Sequence, residues 1–250
     1  MIGRKSIIGI AVLCALAFSA FAAASASAEQ RAYTCASGVG KKDYKEAHCV
    51  TNVGENNGTF GHTLITTAGT KITGTSANTA SNTTAGTVSK LKGALSGVET
   101  EVQCTELTGT GELTNDNTEP GLSVSGTGTI VYKTCTVTKP AGKGCVVKGG
   151  SVTTEKLAAT TVGQAANKVK FTPAGETNFA IIPIEKCEIA ALNNNFPVTG
   201  SLVATASGAT LTTTHTGITE LNTLKFGGVK AGLEGALTIR MEGGEPITVT

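Results

Sequence analysis

The chain has 250 residues, 20 Lys and Arg against 18 Asp and Glu, 32 Gly, 7 Cys, 3 Tyr and no Trp. A charge this balanced, with no basic run, speaks against nucleic-acid binding through counterion release and against attachment to an anionic membrane. Leu, Ile, Val and Phe make up only about 21% of residues 29–250, just above the level typical of disordered chains; balanced charge still favours folding around a thin core in which Thr and Ala stand in for larger side chains.

In chain order, residues 1–28 have the form of a secretory signal. Arg4 and Lys5 supply its charged start, Ile7 to Phe21 its apolar run, and Ala26-Ser27-Ala28 a small-residue cleavage site. The apolar run continues through Ala24 and approaches a membrane-spanning length, but no basic stop-transfer segment follows it. Leu13 stands before Cys14 where lipid-attachment processing requires a small residue. The expectation is cleavage before Glu29, export, and no stable membrane insertion afterwards. Arg4 and Lys5 leave with the signal and no acid does, so 18 basic side chains then face 18 acidic ones.

Residues 29–60 read as an irregular N-terminal segment with a local disulfide, and residues 61–250 as one β domain. Six cysteines remain after the signal: Cys35, Cys49, Cys104, Cys135, Cys145 and Cys187. An even number in an exported chain points to disulfides, and their spacing lacks the close ligand pairs of a zinc site. Cys35–Cys49 is the natural local pair. For the other four, the preferred expectation is Cys135–Cys145 across a hairpin with Cys104–Cys187 as the long bridge; Cys104–Cys135 with Cys145–Cys187 is the open alternative.

From Gly61 onward Thr, Gly, Ser and Val dominate, as in a strand-rich protein. The Thr/Ser/Asn/Ala/Gly stretch from Gly69 to Thr87 is either two weak strands or a loop. Alternation then becomes readable: Val98, Thr100, Val102 and Cys104 on one face against Glu99, Glu101 and Gln103 on the other. It recurs in Val131, Lys133, Cys135 and Val137, in Val169 and Phe171, in Leu224 and Phe226, and in Leu237 and Ile239. Turn signals divide these runs at Asn115-Asp116-Asn117, Pro140 to Gly144, Gly149-Gly150, Asn193-Asn194-Asn195, Gly227-Gly228 and Gly243-Gly244. Glu155 to Lys170 is the nearest approach to a helix, and a hairpin turning at Gly163-Gln164 explains it equally well. Pro183 marks an edge or bulge. The fold class is all-β, an antiparallel sandwich or barrel stapled by disulfides, with little helix after the signal.

Cys135-Thr136-Val137-Thr138-Lys139-Pro140-Ala141-Gly142-Lys143-Gly144-Cys145, Asn222-Thr223-Leu224-Lys225-Phe226-Gly227-Gly228 and Gly232-Leu233-Glu234-Gly235 give the stretch from Val98 to Thr250 a distinctive wording. In it the chain resembles a group of exported Thr/Gly-rich β proteins of high-GC actinobacteria, for which no activity is established. The resemblance implies a small exported β protein and carries over no site residue.

Constellations for chemistry are sparse. Only His48, His62 and His215 could act as a neutral-pH base, and no G-x-S-x-G elbow accompanies them. His48, beside Cys49 and five residues after Asp43, is the most suggestive grouping. Glu99 and Glu101 form a carboxylate pair, but on the polar strand face and without the aromatic platforms that sugar chemistry favours. Asn115-Asp116-Asn117-Thr118-Glu119-Pro120-Gly121 lacks the order of a calcium loop and reads as a polar hairpin loop. Gly142-Lys143-Gly144-Cys145 lacks the leading glycine and the Ser/Thr of a phosphate loop. Asn57-Gly58-Thr59 and Asn82-Thr83-Thr84 match the glycosylation sequon and indicate exposure at most. The T-x-T pairs Thr108/Thr110, Thr127/Thr129, Thr136/Thr138 and Thr212/Thr214 have no fixed repeat that would build an ice-binding face.

The resulting expectation is an exported, non-enzymatic β protein of the cell envelope or extracellular space, without cofactor or metal, its specific role and partner left open by the sequence, with a cell-wall or extracellular ligand as one option. A barrel holding a small apolar ligand is the alternative, and an unrecognised hydrolase the second. The ligand-binding alternative requires an internal cavity lined by residues such as Val102, Ile130, Phe171, Phe179 and Phe226. Solid packing of these residues would favour the structural version, and His48 or His215 meeting acids in a cleft the hydrolase.

Overall fold

The computed structural model describes residues 30–249 apart from 39, 48, 50, 78–88, 117–121, 163–166 and 216–221. The expected signal, His48, the Asn82 sequon and the turn at Gly163-Gln164 lie outside the described residues. About 65% of the structure is strand, with no α-helix among the described residues, and its centre is an eight-stranded antiparallel barrel. This decides between the two expected architectures in favour of the barrel.

The barrel is an up-and-down meander of eight staves, several built from strands that follow one another along a single partner. β3 (Thr70–Ser76) and β4 (Ser89–Leu95) form the first; β5 (Val98–Asp116) and β6 (Ser123–Lys139) are continuous; β7 (Val146–Val147), β8 (Ser151–Thr153) and β9 (Leu157–Thr161) form the fourth. β10 (Lys168–Pro173) with β11 (Asn178–Glu185), β12 (Asn194–Thr199) with β13 (Leu202–Ser207), β14 (Thr210–His215) with β15 (Lys225–Phe226), and β16 (Val229–Lys230) with β17 (Gly232–Met241) complete the eight. The upper ring runs β5-β6-β9-β10-β13-β14-β17-β3 and closes on β5. β5 and β17 each pair with β3 along their upper part and with β4 along their lower part.

A second sheet sits over the upper end. In it β1 (Ala32–Ser37) lies between β2 (Phe60–Leu64) and β18 (Ile247–Val249). The stretch expected to be irregular thus contributes a central strand of this cap. Cys35 and Cys49 are joined within it, their Cα atoms 5.9 Å apart.

The other two disulfides are Cys104–Cys135 and Cys145–Cys187, which overturns the preferred hairpin clip. Cys104 and Cys135 are direct register partners on β5 and β6, with Cα atoms 4.0 Å apart. Pairing of Thr136 with Val146 carries Cys145 past Cys135 along the stave and toward Cys187, which follows β11. Both bridges tie neighbouring staves in the lower half. In the chain-entropy account, loops of this length are worth about 3–4 kcal/mol each.

Alternation holds where it was legible, with one phase change. Cys104 and Leu107 are both buried, while Thr105 and Glu106 between them are exposed. The facing strand does the same, and Thr134 takes a left-handed φ of 50° there. Ile130 and Tyr132 therefore face the lumen with Cys135 and Val137, and Val131 and Lys133 face outward, which corrects the expected Val131-Lys133-Cys135-Val137 face. Pro183 lies opposite the one-turn 3-10 segment Lys148–Gly150, where regular pairing between β11 and the β7–β8 stave lapses. A residue without an N–H is tolerated at such a bulge. Within Glu155 to Lys170 the described residues give β9 and the start of β10, paired antiparallel. Of Gly69 to Thr87, the described part carries β3.

The outer face is polar. Lys133–Glu106 and Lys139–Glu99 pair across β5 and β6, each at 2.6 Å, and Lys92–Glu234 pairs at 3.1 Å. Exposed pairs of this kind add little stability individually.

The lower half is packed with side chains, among them Leu95, Leu192, Leu224 and Phe226, all essentially inaccessible. The upper half is built differently. Lumen positions of β3, β5 and β6 carry Gly74, Gly109, Gly111, Gly126 and Gly128. At three of them the neighbouring backbone comes too close for any side chain: a Cβ would lie 2.4 Å from the Thr127 carbonyl oxygen at Gly111, 2.6 Å from that of Glu112 at Gly126, and 2.5 Å from that of Thr110 at Gly128. Glycine here permits the sharp curl that closes a small barrel. At Gly109 the nearest atom is 3.4 Å away. Gly128→Ala is therefore expected to cost about 1–3 kcal/mol through forced backbone displacement, and Gly109→Ala much less, as urea midpoints of the two variants will show.

Candidate ligand cavity in the barrel lumen

The glycines leave a hollow. The upper lumen holds a partly open cavity of about 110 Å³. Gly111 and Gly128 line it on β5 and β6, Ala159 and Phe171 on the adjoining β9 and β10, and Leu237 and Ile239 on β17. Ile247 and Val249 of β18 close it from above. The wall is almost wholly apolar: the outward alternates of β5 and β6 are the Thr and Glu residues, the bordering residues of β10 and β17 are aliphatic or aromatic, and on β9 Leu157 and Ala159 are joined by Thr161, whose hydroxyl accepts from the Val124 N–H at 3.0 Å. Glu112 contributes only its backbone side, since its carboxylate is paired with Lys71 on the outer face.

An empty apolar cavity is costly because its wall atoms lose dispersion contacts. At the mutational rate of cavity cost, about 110 Å³ amounts to about 2–3 kcal/mol. The close backbone contacts at Gly111 and Gly128 oppose collapse of the wall. An engineered cavity of about 150 Å³ lined by similar residues stays dry and takes up benzene, so this one is of a size to hold a small apolar group.

One polar side chain locks the cap over the cavity. Asn115 is 8% exposed near the end of β5. Its Oδ1 accepts from the Ala32 N–H at 2.8 Å, and its Nδ2 donates to the carbonyls of Ala32 at 2.9 Å and Ile65 at 2.7 Å. Ala32, Ile65, Leu113, Val124 and Ile247 pack around it. The expectation that Asn115 belongs to a polar hairpin loop is thus corrected: the strand continues through Asp116, and residues 117–121 lie outside the described part. An amide is required because it donates and accepts at once.

Of the five residues expected to line a cavity, Ile130 and Phe171 border the main hollow. Val102 and Phe179 border smaller voids lower in the barrel, and Phe226 is fully packed. The sequence reading missed the Gly stripe, Asn115 and Tyr132. A signal for the stripe was present in Thr108-Gly109-Thr110-Gly111 and Ser125-Gly126-Thr127-Gly128, where glycine holds every second position.

His62 lies in the cap, stacked on Tyr33 with ring centroids 4.3 Å apart, and its Nδ1 is 3.2 Å from the Tyr44 hydroxyl. Burial lowers its pKa below the usual value, against the opposing charge of Asp43. His215 ends β14 opposite Leu233. Glu99 is occupied by Lys139. Burial alone would raise the Glu101 pKa, but hydrogen bonds from Gln103 and Thr138, with Lys92 and Lys139 nearby, bring it below the usual carboxylate value. Lys143, in the expected non-phosphate loop, pairs with Glu188 at 3.2 Å. Asn57 of the first sequon is exposed. Among the described residues no three His, Cys, Asp or Glu side chains gather as a metal site requires, and no helix is long and apolar enough to cross a membrane.

No protein-family model, curated protein or solved structure matches the chain.

Two outcomes follow from this geometry. Asn115→Ala, which strands two carbonyls and an N–H, is expected to lower stability by about 2–4 kcal/mol. Asn115→Asp should be at least as damaging near neutral pH, since a carboxylate repels both carbonyls; denaturant titration of the two variants checks this. Tyr132, partly buried on the lumen face of β6, has its pKa pushed up by desolvation to about 12. The unfolded chain releases this proton near pH 10 and the folded chain does not, so stability should fall as pH rises from about 10 towards 12. In Tyr132→Phe that loss should be reduced.

Proposed function

We propose that this protein is an exported, non-enzymatic carrier that holds one small apolar molecule in the upper lumen of its barrel. The observation that carries the reading is the contrast between the two halves: the lower is largely filled with side chains and keeps only two small voids of about 40 Å³ each, whereas the upper is held open by glycine and lined with apolar groups. Barrels of eight strands either fill with side chains or retain room for one small ligand. A ligand in the hollow would recover the dispersion contacts that the empty wall lacks.

Export is part of the same proposal. It rests on the charged start, apolar run and Ala26-Ser27-Ala28 site of the first 28 residues, and three disulfides are in keeping with an oxidising compartment. The polar outer face and the apolar lumen fit a carrier of a small apolar molecule. A surface location at the cell wall would place the carrier where apolar molecules are exchanged with the outside.

The test is binding of hexane to the oxidised chain, followed through the methyl resonances of Ile72, Leu237 and Ile239. The proposal expects saturable shifts at these three residues. Ala159→Leu, whose side chain enters the cavity, should abolish them while raising the ligand-free stability by about 0.5–2 kcal/mol. Unmoved lumen methyls in the unaltered protein, or identical hexane binding after Ala159→Leu, would contradict it.

A further inference from the structure

The hollow continues below Phe171. A second void of about 40 Å³ shares Ile130, Phe171, Leu211 and Leu237 with the main cavity. A third, also about 40 Å³, shares Ser89, Tyr132, Phe179 and Leu233 with the second. The three stand in file along the barrel axis, separated by residues common to their walls. Their succession follows β5 from Leu113 through Leu107 to Val102, and β17 from Ile239 to Leu233.

Two features of this file restrict what fits. No Lys, Arg, His or Asp borders any of the three voids, and the one acid at the wall, Glu112, is turned out to Lys71. A charged group carried into the lumen would therefore lose its hydration without gaining a counterion. At the lower end, however, Tyr132 borders both small voids, and among the described residues no group hydrogen-bonds its hydroxyl. Ser89 stands beside it on the same two voids.

Resting on the carrier reading above, we propose that the ligand is a narrow, unbranched aliphatic molecule with an uncharged oxygen at its buried end, and that the Tyr132 hydroxyl is its anchor. The chain occupies the glycine-walled cavity and extends past Phe171. Its terminal oxygen, as an alcohol or a carbonyl, accepts the Tyr132 hydrogen bond. A compact ring is accommodated in the upper cavity alone and does not reach the tyrosine. Burial keeps the phenol neutral, so it remains a donor over the physiological pH range.

The experiment compares 1-octanol, n-octane and cyclooctanol, titrated into the oxidised unaltered protein and into Tyr132→Phe, with the Leu237 and Ile239 methyl resonances as the readout. The expected result is that 1-octanol binds more tightly than cyclooctanol, and that Tyr132→Phe weakens 1-octanol by about two- to tenfold, the range of one neutral hydrogen bond. Octane should bind both proteins equally, which also shows that the variant is folded. Equal affinity of 1-octanol for the two proteins, with octane bound, would overturn the anchor and leave the carrier reading standing. Cyclooctanol binding as tightly as 1-octanol would overturn the narrow-chain assignment. Failure of both octane and 1-octanol to move the lumen methyls would remove the carrier reading itself, and the anchor with it.

Discussion

The approach of the β5 and β6 backbones at Gly111, Gly126 and Gly128 is the contact on which the rest of this structure depends. Carbonyl oxygens of the facing strand occupy the space that side chains would need at these three positions. The strand pair can therefore curl tightly enough to close a ring of eight. The same substitution of hydrogen for a side chain removes the volume that would otherwise fill the lumen. Closure and hollowness thus have one cause. A sequence that filled the upper cavity by enlarging these residues would strain the ring that contains it.

The other parts of the molecule are consistent with protecting that arrangement. The lower half is densely packed and carries two cross-stave disulfides, Cys104–Cys135 and Cys145–Cys187. The upper end has smaller apolar clusters and is covered by a small sheet joining both ends of the described chain, with its own disulfide and a buried amide at Asn115. Rigidity is concentrated away from the cavity, while the cover is held by a few directional bonds. Under the carrier reading, such a division allows the cover to yield without loosening the barrel.

Much of this was legible in the sequence, for identifiable reasons. Period-two alternation at Val98 to Cys104, Val169 and Phe171, and Leu237 and Ile239 reports lumen-facing positions directly, because one face of each strand is buried. The six paired cysteines were legible from their even number. Their connectivity was not, because it depends on the register that sets Cys104 opposite Cys135. Alternation failed across Thr134, where a left-handed residue shifts the phase and no Gly announces it. Asn115 was misplaced because Asn-Asp-Asn is ordinarily a turn signal, and only the cap, formed from residues distant in sequence, gives its amide a buried role. The glycine stripe was hidden by the expectation that strand interiors carry apolar side chains.

The central claim is that the upper lumen is a dry, ligand-accessible hollow maintained by glycine. Diffraction from crystals pressurised with xenon tests it most directly, since xenon enters apolar cavities without requiring a hydrogen bond. The account predicts xenon between Gly111 and Gly128 on one side and Leu237 and Ile239 on the other. Ordered water in that space, or side chains collapsed into it with xenon excluded, would contradict it.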